Sequence, residues 1–204
     1  TVRVAYFSPL SPVKSGIAKY SELLIPHLSK LVDLDIFVDG YTPTNRDIVK
    51  CSCVYDYREF ERCRVTRKYD ALIYQMGNNC YHEYIYDTLM RRPGITVLHD
   101  YLLHHFIAYK TLARKSAGQY VEECRYCDGE LSACLATGRI YGLYTPLQNF
   151  LFPTNRRVIE RSLAVLVHSE YVKEEITQKF PQVTVEKINF AAPLFADAAS
   201  LTKD

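Results

Sequence analysis

Residues 2–28 read VRVAYFSPLSPVKSGIAKYSELLIPHL and predict the first unit of the fold. Residues 2–7 have the apolar character of a buried strand, and after a loop rich in Pro and Ser the apolar residues return at helical spacing. Ser15 is placed to cap the start of this helix, and Pro26 is expected to kink it or to mark its last turns. Loops of this kind often bind phosphate, because free N–H groups and the helix dipole point toward them.

The same strand and helix pattern continues along the chain. Further strands are predicted at 34–38, 50–55, 71–76, 95–98, 163–167 and 183–189. Further helices are predicted at 82–91, 101–138, 155–161 and 170–179. Parallel neighbours need crossover connections, which this alternation supplies. It therefore indicates an α/β fold, a Rossmann-like three-layer sandwich with a mostly parallel sheet of about seven strands.

Composition places the chain among globular proteins and names no partner. It has 204 residues, 48% of them hydrophobic and 24% charged, and a formal net charge of +2. A net charge this small gives no general indication that the protein binds nucleic acid. Seven cysteines, an odd and scattered number, suit reduced thiols in a cytoplasmic protein. No apolar run reaches the roughly 18 residues that span a bilayer, although peripheral contact with a membrane surface stays open.

Ligands of such sheets gather beyond the carboxyl ends of the strands, so the residues that follow the strands are the candidates. His99 is placed to hydrogen-bond a sugar hydroxyl, with Asp100 fixing its orientation, and a histidine that merely caps the next helix is an equal alternative. Gly77, Asn78 and Asn79 offer a turn with amide groups that suit hydroxyl-rich ligands. Turn chemistry alone also explains these three residues.

The first loop carries a weaker signal. Gly16 lets a phosphate or a sugar approach the backbone and Lys14 adds a positive charge, while a plain tight turn is the alternative. The loop lacks the G-x-G-x-x-G of dinucleotide sites and the G-x-x-x-x-G-K of a P-loop, which disfavours an NAD enzyme or an ATPase. A metal site is not expected, because His99 and His104 are five residues apart and no paired ligand motif is present. The apolar segment 140–153 is expected to pack on the core, with an apolar acceptor or a lipid surface as alternatives.

Three segments together resemble the N-terminal domain of a GT-B fold glycosyltransferase, in the large retaining family called group one or family four. They are FSPLSPVKSGIAKYSELLIPHLSK at 7–30, YQMGNN at 74–79 followed by PGITVLHDYLLHH at 93–105, and RSLAVLVHSEYVKEEI at 161–176. The resemblance covers the chain up to about residue 190. It implies transfer of a sugar from a nucleotide-sugar donor, a UDP- or GDP-sugar, to an acceptor hydroxyl with retention of configuration and without a metal.

The resemblance also implies roles for single residues. Gly16 would lie near the donor diphosphate, and His99 would contact the transferred sugar, with Asp100 as the second catalytic candidate. The donor- and acceptor-binding candidates are Ser15, Gly16, Ile17, Tyr20, Gly77, Asn78, Asn79 and Ser169. The acceptor class stays open between a lipid-linked saccharide, a polysaccharide and a small metabolite.

Residues 1–190 are expected to form the acceptor-side domain, and the Ala-rich tail 191–204 to begin a linker to a C-terminal domain that binds the nucleotide sugar. The isolated half is expected to be inactive, because catalysis needs groups from both walls of the cleft. Two other functions stay open. One is a non-catalytic α/β binding or scaffold module, and the other is an inverting nucleotide-sugar enzyme with Asp100 or His99 as general base.

Overall fold

Seven parallel strands form the sheet of this protein, whose computed structural model describes residues 1–190. The strands are β1 (Arg3–Phe7), β2 (Asp33–Val38), β3 (Cys53–Asp56), β4 (Ala71–Met76), β5 (Ile95–Leu98), β6 (Ala164–Val167) and β7 (Val185–Lys187). Their order is β3-β2-β1-β4-β5-β6-β7, and every pairing is parallel. The predicted α/β fold with about seven strands is confirmed. The tail predicted as a linker lies outside the described residues.

Helices connect the strands. They are α1 (Gly16–Leu28), α2 (Arg46–Cys51), α3 (Phe60–Arg67), α4 (Glu83–Arg91), α5 (His104–Thr111), α6 (Ala117–Asp128), α7 (Glu130–Ile140), α8 (Gln148–Leu151), α9 (Arg156–Arg161) and α10 (Glu170–Lys179). Pro26 falls in the last turn of α1, one of the two places expected for it. The helical pattern predicted at 101–138 corresponds to three of these helices, α5, α6 and α7. The chain breaks there at Lys115 (φ 59°) and at Gly129 (φ 85°), left-handed conformations that end a helix.

The central strands are buried on both faces. Val4 and Tyr6 of β1 pack with Ile25 of α1 on one face of the sheet. Ala5 and Phe7 point to the other face, where the ring of Phe7 stacks on the rings of Phe37 and Tyr74 with centroids 4.9 Å apart in each pair. Burial of one such side chain stabilises the fold by about 1.5–3 kcal/mol. Because both faces of these strands are buried, their sequences are continuous apolar runs.

The strand order contains one reversal, and it lies between β1 and β4. The chain runs outward from β1 to β3 and then returns to place β4 on the other side of β1. At such a switch point the loops after the two adjacent strands diverge and leave a crevice, which is where open parallel sheets bind ligands. The loops concerned here are 8–15 and 77–82. Within the described part of the chain, no helix has both the length and the apolar character needed to cross a bilayer.

Candidate functional site

The first wall of the crevice is the loop before α1. The side-chain oxygen of Ser15 accepts hydrogen bonds from the N–H groups of Ile17 (3.1 Å) and Ala18 (3.4 Å), so the predicted cap is confirmed. Gly16 is exposed, and a Cβ placed on it would meet no atom within 4 Å. The backbone at this helix N-terminus is therefore open to a ligand from outside. The first turn of α1 contains no acidic residue that would oppose an anion.

The remainder of this loop is held in place by side chains of its neighbours. The N–H of Leu10 donates to the hydroxyl of Tyr41 at 2.8 Å, and the N–H of Ser11 donates to the carboxylate of Glu22 at 2.8 Å. Tyr41 follows β2 and Glu22 belongs to α1, so two elements hold the loop. Its shape is therefore preformed.

Gly77 forms the floor of the crevice after β4. A Cβ at this position would lie 2.3 Å from Cδ1 of Ile17, 2.9 Å from Nε2 of His82 and 3.1 Å from Oδ2 of Asp100. A larger residue would displace the end of the Ile17 side chain, so the absence of a side chain at Gly77 permits this close packing. Ile17 is buried in this contact, so the structure shows it as a packing residue of the site.

The two asparagines after Gly77 are occupied by contacts within the protein. Oδ1 of Asn78 accepts from the N–H of Phe106 at 2.9 Å and so caps α5. Oδ1 of Asn79 accepts from the N–H of Tyr81 at 3.0 Å and caps the short 3₁₀ turn that follows. These contacts match the turn-chemistry alternative. Binding of a hydroxyl-rich ligand by either amide stays a prediction.

Asp100 does not orient His99, which corrects the role expected for it. Its Oδ2 accepts from the backbone N–H of Asn78 at 2.8 Å and thereby joins the end of β5 to the loop after β4. The ring of His99 is oriented by Gln75 instead, since Oε1 of Gln75 lies 2.6 Å from its Nε2. The reason is geometric: Gln75 lies on β4, the strand paired with β5.

His99 belongs to an aromatic cluster, by which we mean Tyr20, His99, His168 and Phe190. The ring of Tyr20 meets the ring of His99 edge to face with centroids 4.7 Å apart. His168, which follows β6, places its Nε2 at 3.3 Å from Nδ1 of His99. Phe190 covers His168, with ring centroids 4.9 Å apart. The cluster therefore joins α1 to the ends of β5, β6 and the segment after β7.

Burial lowers the pKa of three histidines at this edge, His82, His99 and His168. Burial, followed by the neighbouring His168 and His82, lowers the pKa of His99 to about 3. Burial also lowers the pKa of His82 to about 4, against the opposing hydrogen bond between its Nδ1 and the backbone carbonyl of Gln75. The pKa of His168 is lowered for the same first reason. His99 is therefore suited to hydrogen bonding rather than to proton transfer.

The structure brings most of the predicted site residues to one edge. Ile17, Gly77, Asn78 and Asp100 meet at the switch point, and Tyr20 packs beside them on His99. Ser169 accepts from the N–H of Val172 at 3.2 Å and caps α10, with no further contact that assigns it to the site. Gln75, His168 and Phe190 were missed. A signal existed for Gln75, a polar residue inside an apolar strand, and for His168, which ends one.

A groove of about 300 Å³ adjoins the crevice. It is lined by Pro9, Val13, Asp39, Tyr41, Cys80, Tyr81, Glu83, Tyr84 and Tyr109. These residues come from the loops after β1, β2 and β4 and from α4 and α5, so the groove opens on the carboxyl edge. A larger groove of about 740 Å³ lies along the edge strand β3, and none of the residues that line it belongs to the cluster around His99.

Exposed apolar side chains continue this edge at 140–151. Tyr141 is 81% exposed and Leu143 74% exposed, so the expectation that this segment packs on the core is wrong for its most apolar part. The segment is attached through Asn149, whose Nδ2 lies 3.1 Å from Nε2 of His105. It therefore lies next to Asn78, which contacts the other nitrogen of the same imidazole at 3.3 Å.

Among residues 1–190, no group of three or more His, Cys, Asp or Glu side chains is arranged to hold a metal ion. The buried His104 illustrates what these histidines do instead. Its Nε2 lies 2.6 Å from the hydroxyl of Tyr120, and its Nδ1 lies 3.1 Å from the hydroxyl of Thr154.

Comparison with known proteins does not identify the chain. No protein-family model matches it, and a search of curated proteins finds no significant match. The fold and the geometry of the edge are therefore the basis for an inference about function.

Proposed function

We propose that residues 1–190 form the acceptor-side half of a retaining glycosyltransferase of the GT-B fold, which transfers a sugar from a UDP- or GDP-sugar to an acceptor hydroxyl. One observation carries this proposal. The loops after β1 and β4 diverge at the switch point of an all-parallel sheet, and His99 ends the next strand beside them. In sheets of this kind the carboxyl edge at the switch point is the usual position of the ligand.

The donor diphosphate is assigned to the N-terminus of α1. Gly16 has open space in front of its backbone, and the loop before it is held by Tyr41 and Glu22. The positive end of the dipole of a 13-residue helix suits a phosphate at this position. The base and most contacts to the nucleotide would come from the second domain of such an enzyme.

The acceptor is assigned to the groove of about 300 Å³. Tyr81 and Tyr109 are 44% and 43% exposed there, and rings in this position offer flat apolar faces to the C–H side of a sugar. Asp39 pairs with Arg58, and Glu83 pairs with Lys110 and Arg114. The remaining lone pairs of these carboxylates can accept hydrogen bonds from hydroxyl groups. The exposed apolar side chains at 140–151 lie along the same edge, which favours an acceptor that carries an apolar part.

His99 is assigned a hydrogen bond to the transferred sugar rather than a part in proton transfer. With a pKa of about 3, its imidazole is too weak a base to remove a proton from an acceptor hydroxyl near neutral pH. The low pKa of His99 favours the retaining mechanism over an inverting one in which His99 is the general base.

The test is sugar transfer by the full-length product of the gene. The protein is incubated with UDP- and GDP-sugars and with glycoside, oligosaccharide and lipid-linked acceptors, and the anomeric configuration of the product is determined by NMR. We expect transfer with retention. We also expect His99→Ala to lower turnover by roughly a hundredfold, the loss of about 2.7 kcal/mol of transition-state stabilisation.

The matched control is His27→Ala, at an exposed histidine in the last turn of α1. Its turnover should equal that of the unmodified protein. A product of inverted configuration would contradict the mechanism. No transfer with any of these donors, from a folded full-length protein, would contradict the proposal itself and favour a binding or scaffold module.

A further inference from the structure

A chain of contacts runs through the aromatic cluster from Gln75 to the backbone of residue 188. Oε1 of Gln75 lies 2.6 Å from Nε2 of His99, and Nδ1 of His99 lies 3.3 Å from Nε2 of His168. Nδ1 of His168 lies 3.4 Å from the carbonyl oxygen of Ile188. Each ring therefore has a partner at both nitrogens. These positions establish which groups are in contact, while the hydrogens follow from the chemistry of the partners.

The carbonyl at the end of the chain sets the direction of every bond. The oxygen of Ile188 only accepts, so Nδ1 of His168 carries a hydrogen. A neutral imidazole has one N–H, so Nε2 of His168 is an acceptor and Nδ1 of His99 must donate to it. Nε2 of His99 is then an acceptor as well. The group of Gln75 that faces it must be the amide nitrogen.

The amide of Gln75 can meet this demand without any change in packing. Its oxygen and nitrogen have nearly the same size, and a half-turn of the terminal group exchanges them. With the oxygen toward His99, the side-chain nitrogen of Gln75 is buried without an acceptor among residues 1–190, so neither of its N–H groups makes a hydrogen bond. With the nitrogen toward His99, one donor is used. The exchange therefore gives the buried amide nitrogen of Gln75 a partner.

The alternative is a cation in the cluster. If the oxygen of Gln75 faces His99, all three contacts are satisfied only when one imidazole carries a second proton. Gln75 is fully buried, and burial lowers the pKa of both rings, that of His99 to about 3. A buried charge without an anionic partner is costly, so the neutral chain is favoured.

We propose that this chain of contacts, which begins at the carbonyl of Ile188, holds the imidazole of His99 as the Nδ1–H tautomer, with Gln75 as a positioning residue that donates from its amide nitrogen to Nε2. His99 then donates from Nδ1 toward the position of His168. The contact with His168 is the longer of the two, so an entering ligand replaces His168 rather than Gln75. The ligand atom that takes this place must accept a hydrogen bond, as an oxygen of a sugar hydroxyl or of a phosphate does. This last step rests on the proposed function, whereas the tautomer does not.

The test is the protonation of the ring nitrogens in the ¹⁵N-labelled 204-residue chain at neutral pH. Long-range ¹H–¹⁵N NMR correlations distinguish a protonated, pyrrole-type nitrogen from a bare, pyridine-type one, and the signals of His99 are assigned by their loss in His99→Asn. We expect Nδ1 of His99 to be pyrrole-type and Nε2 pyridine-type. The reverse pattern, or two pyrrole-type nitrogens on either His99 or His168, would overturn the proposal.

Gln75→Leu tests the part played by Gln75. Leucine neither donates nor accepts a hydrogen bond, so we expect the pyridine-type ¹⁵N signal of Nε2 of His99 to move to the position of a nitrogen without a donor, while Nδ1 stays pyrrole-type. Gln182→Leu, the same change at an exposed position, should leave His99 as it is. An unchanged Nε2 signal in folded Gln75→Leu would show that Gln75 does not donate to His99. Because sugar transfer is not measured, these experiments test the tautomer of His99 independently of the proposed function.

Discussion

Ile17 lies directly over Gly77, so that a Cβ on the glycine would come within 2.3 Å of Cδ1 of the isoleucine. This contact joins the first turn of α1 to the loop after β4, the two elements that diverge at the switch point of the sheet. Both walls of the proposed site are therefore positioned by one close approach between a buried side chain and a bare backbone.

Gly77→Ala should destabilise the protein because the added methyl group overlaps Ile17 and approaches His82 and Asp100 closely. Overpacking of this kind costs roughly 1–3 kcal/mol of the free energy of unfolding, which urea denaturation measures. Gly118→Ala is the matched control, since a Cβ there meets nothing within 4 Å and the residue lies in helix α6. It should raise stability, by up to about 1 kcal/mol. Equal stabilities of the two variants would contradict the role given to Gly77.

Asn78→Ala should weaken the start of α5. The variant removes the acceptor for the N–H of Phe106, and loss of a helix cap costs about 0.5–2 kcal/mol. Hydrogen exchange of the Phe106 amide should become faster relative to amides in the middle of α5. Asn189→Ala, at an exposed asparagine, should leave that exchange rate unchanged. If Phe106 exchanges at the original rate in Asn78→Ala, the amide of Asn78 is free to serve a ligand instead.

The buried His82 should make the protein less stable in acid. Its native pKa is about 4 against an ordinary value of 6.5, so between these two pH values the unfolded chain binds a proton that the native protein does not. Stability from this group is therefore complete above pH 6.5 and is lost as the pH falls toward 4, with a slope of about 1.4 kcal/mol per pH unit. His99 and His104 contribute in the same direction.

The measurement is urea denaturation at several pH values in this interval. His82→Asn keeps an N–H donor for the carbonyl of Gln75 and removes the titrating ring, so the dependence on pH should decrease by about one proton. His27→Asn, at an exposed histidine, should retain the original dependence. An unaltered dependence in His82→Asn would show that His82 is not the group responsible.

Much of the fold could be predicted because its signals are local. The bounds of β4 and β5 match the prediction, since Gly77 ends one apolar run and Pro93 and Gly94 precede the other. Helix α3 was missed because it has little amphipathic character: only Phe60 and Cys63 are buried. The break in the chain after α5 could not be predicted from the sequence either, because Lys115 adopts a left-handed conformation without being a glycine.

The site was predictable at the level of strand ends and not at the level of contacts. His99 and Gly77 meet at one edge because parallel strands bring their carboxyl ends together. Which side chain touches His99 depends on the register of β4 on β5, where Gln75 is level with Val97. That register, and the approach of His168 from the next strand, arise only when the whole sheet is assembled. The partner of His99 was therefore assigned to its chain neighbour Asp100.

Gly16→Asp should weaken binding of the donor diphosphate without lowering the stability of the protein. The carboxylate would enter open space at the N-terminus of α1, where a negative charge interacts favourably with the helix dipole by about 0.3–1 kcal/mol. Urea denaturation should therefore show a protein at least as stable as the unmodified one. In the full-length protein the same charge would lie where the donor diphosphate is assigned, so KM for the nucleotide sugar should rise by roughly tenfold or more. Gly16→Ala, which adds a neutral methyl group in the same space, should raise KM less than Gly16→Asp does, because it brings no charge. If Gly16→Asp keeps the original KM while sugar transfer continues, the diphosphate does not bind at this helix and its assignment to the first loop is wrong.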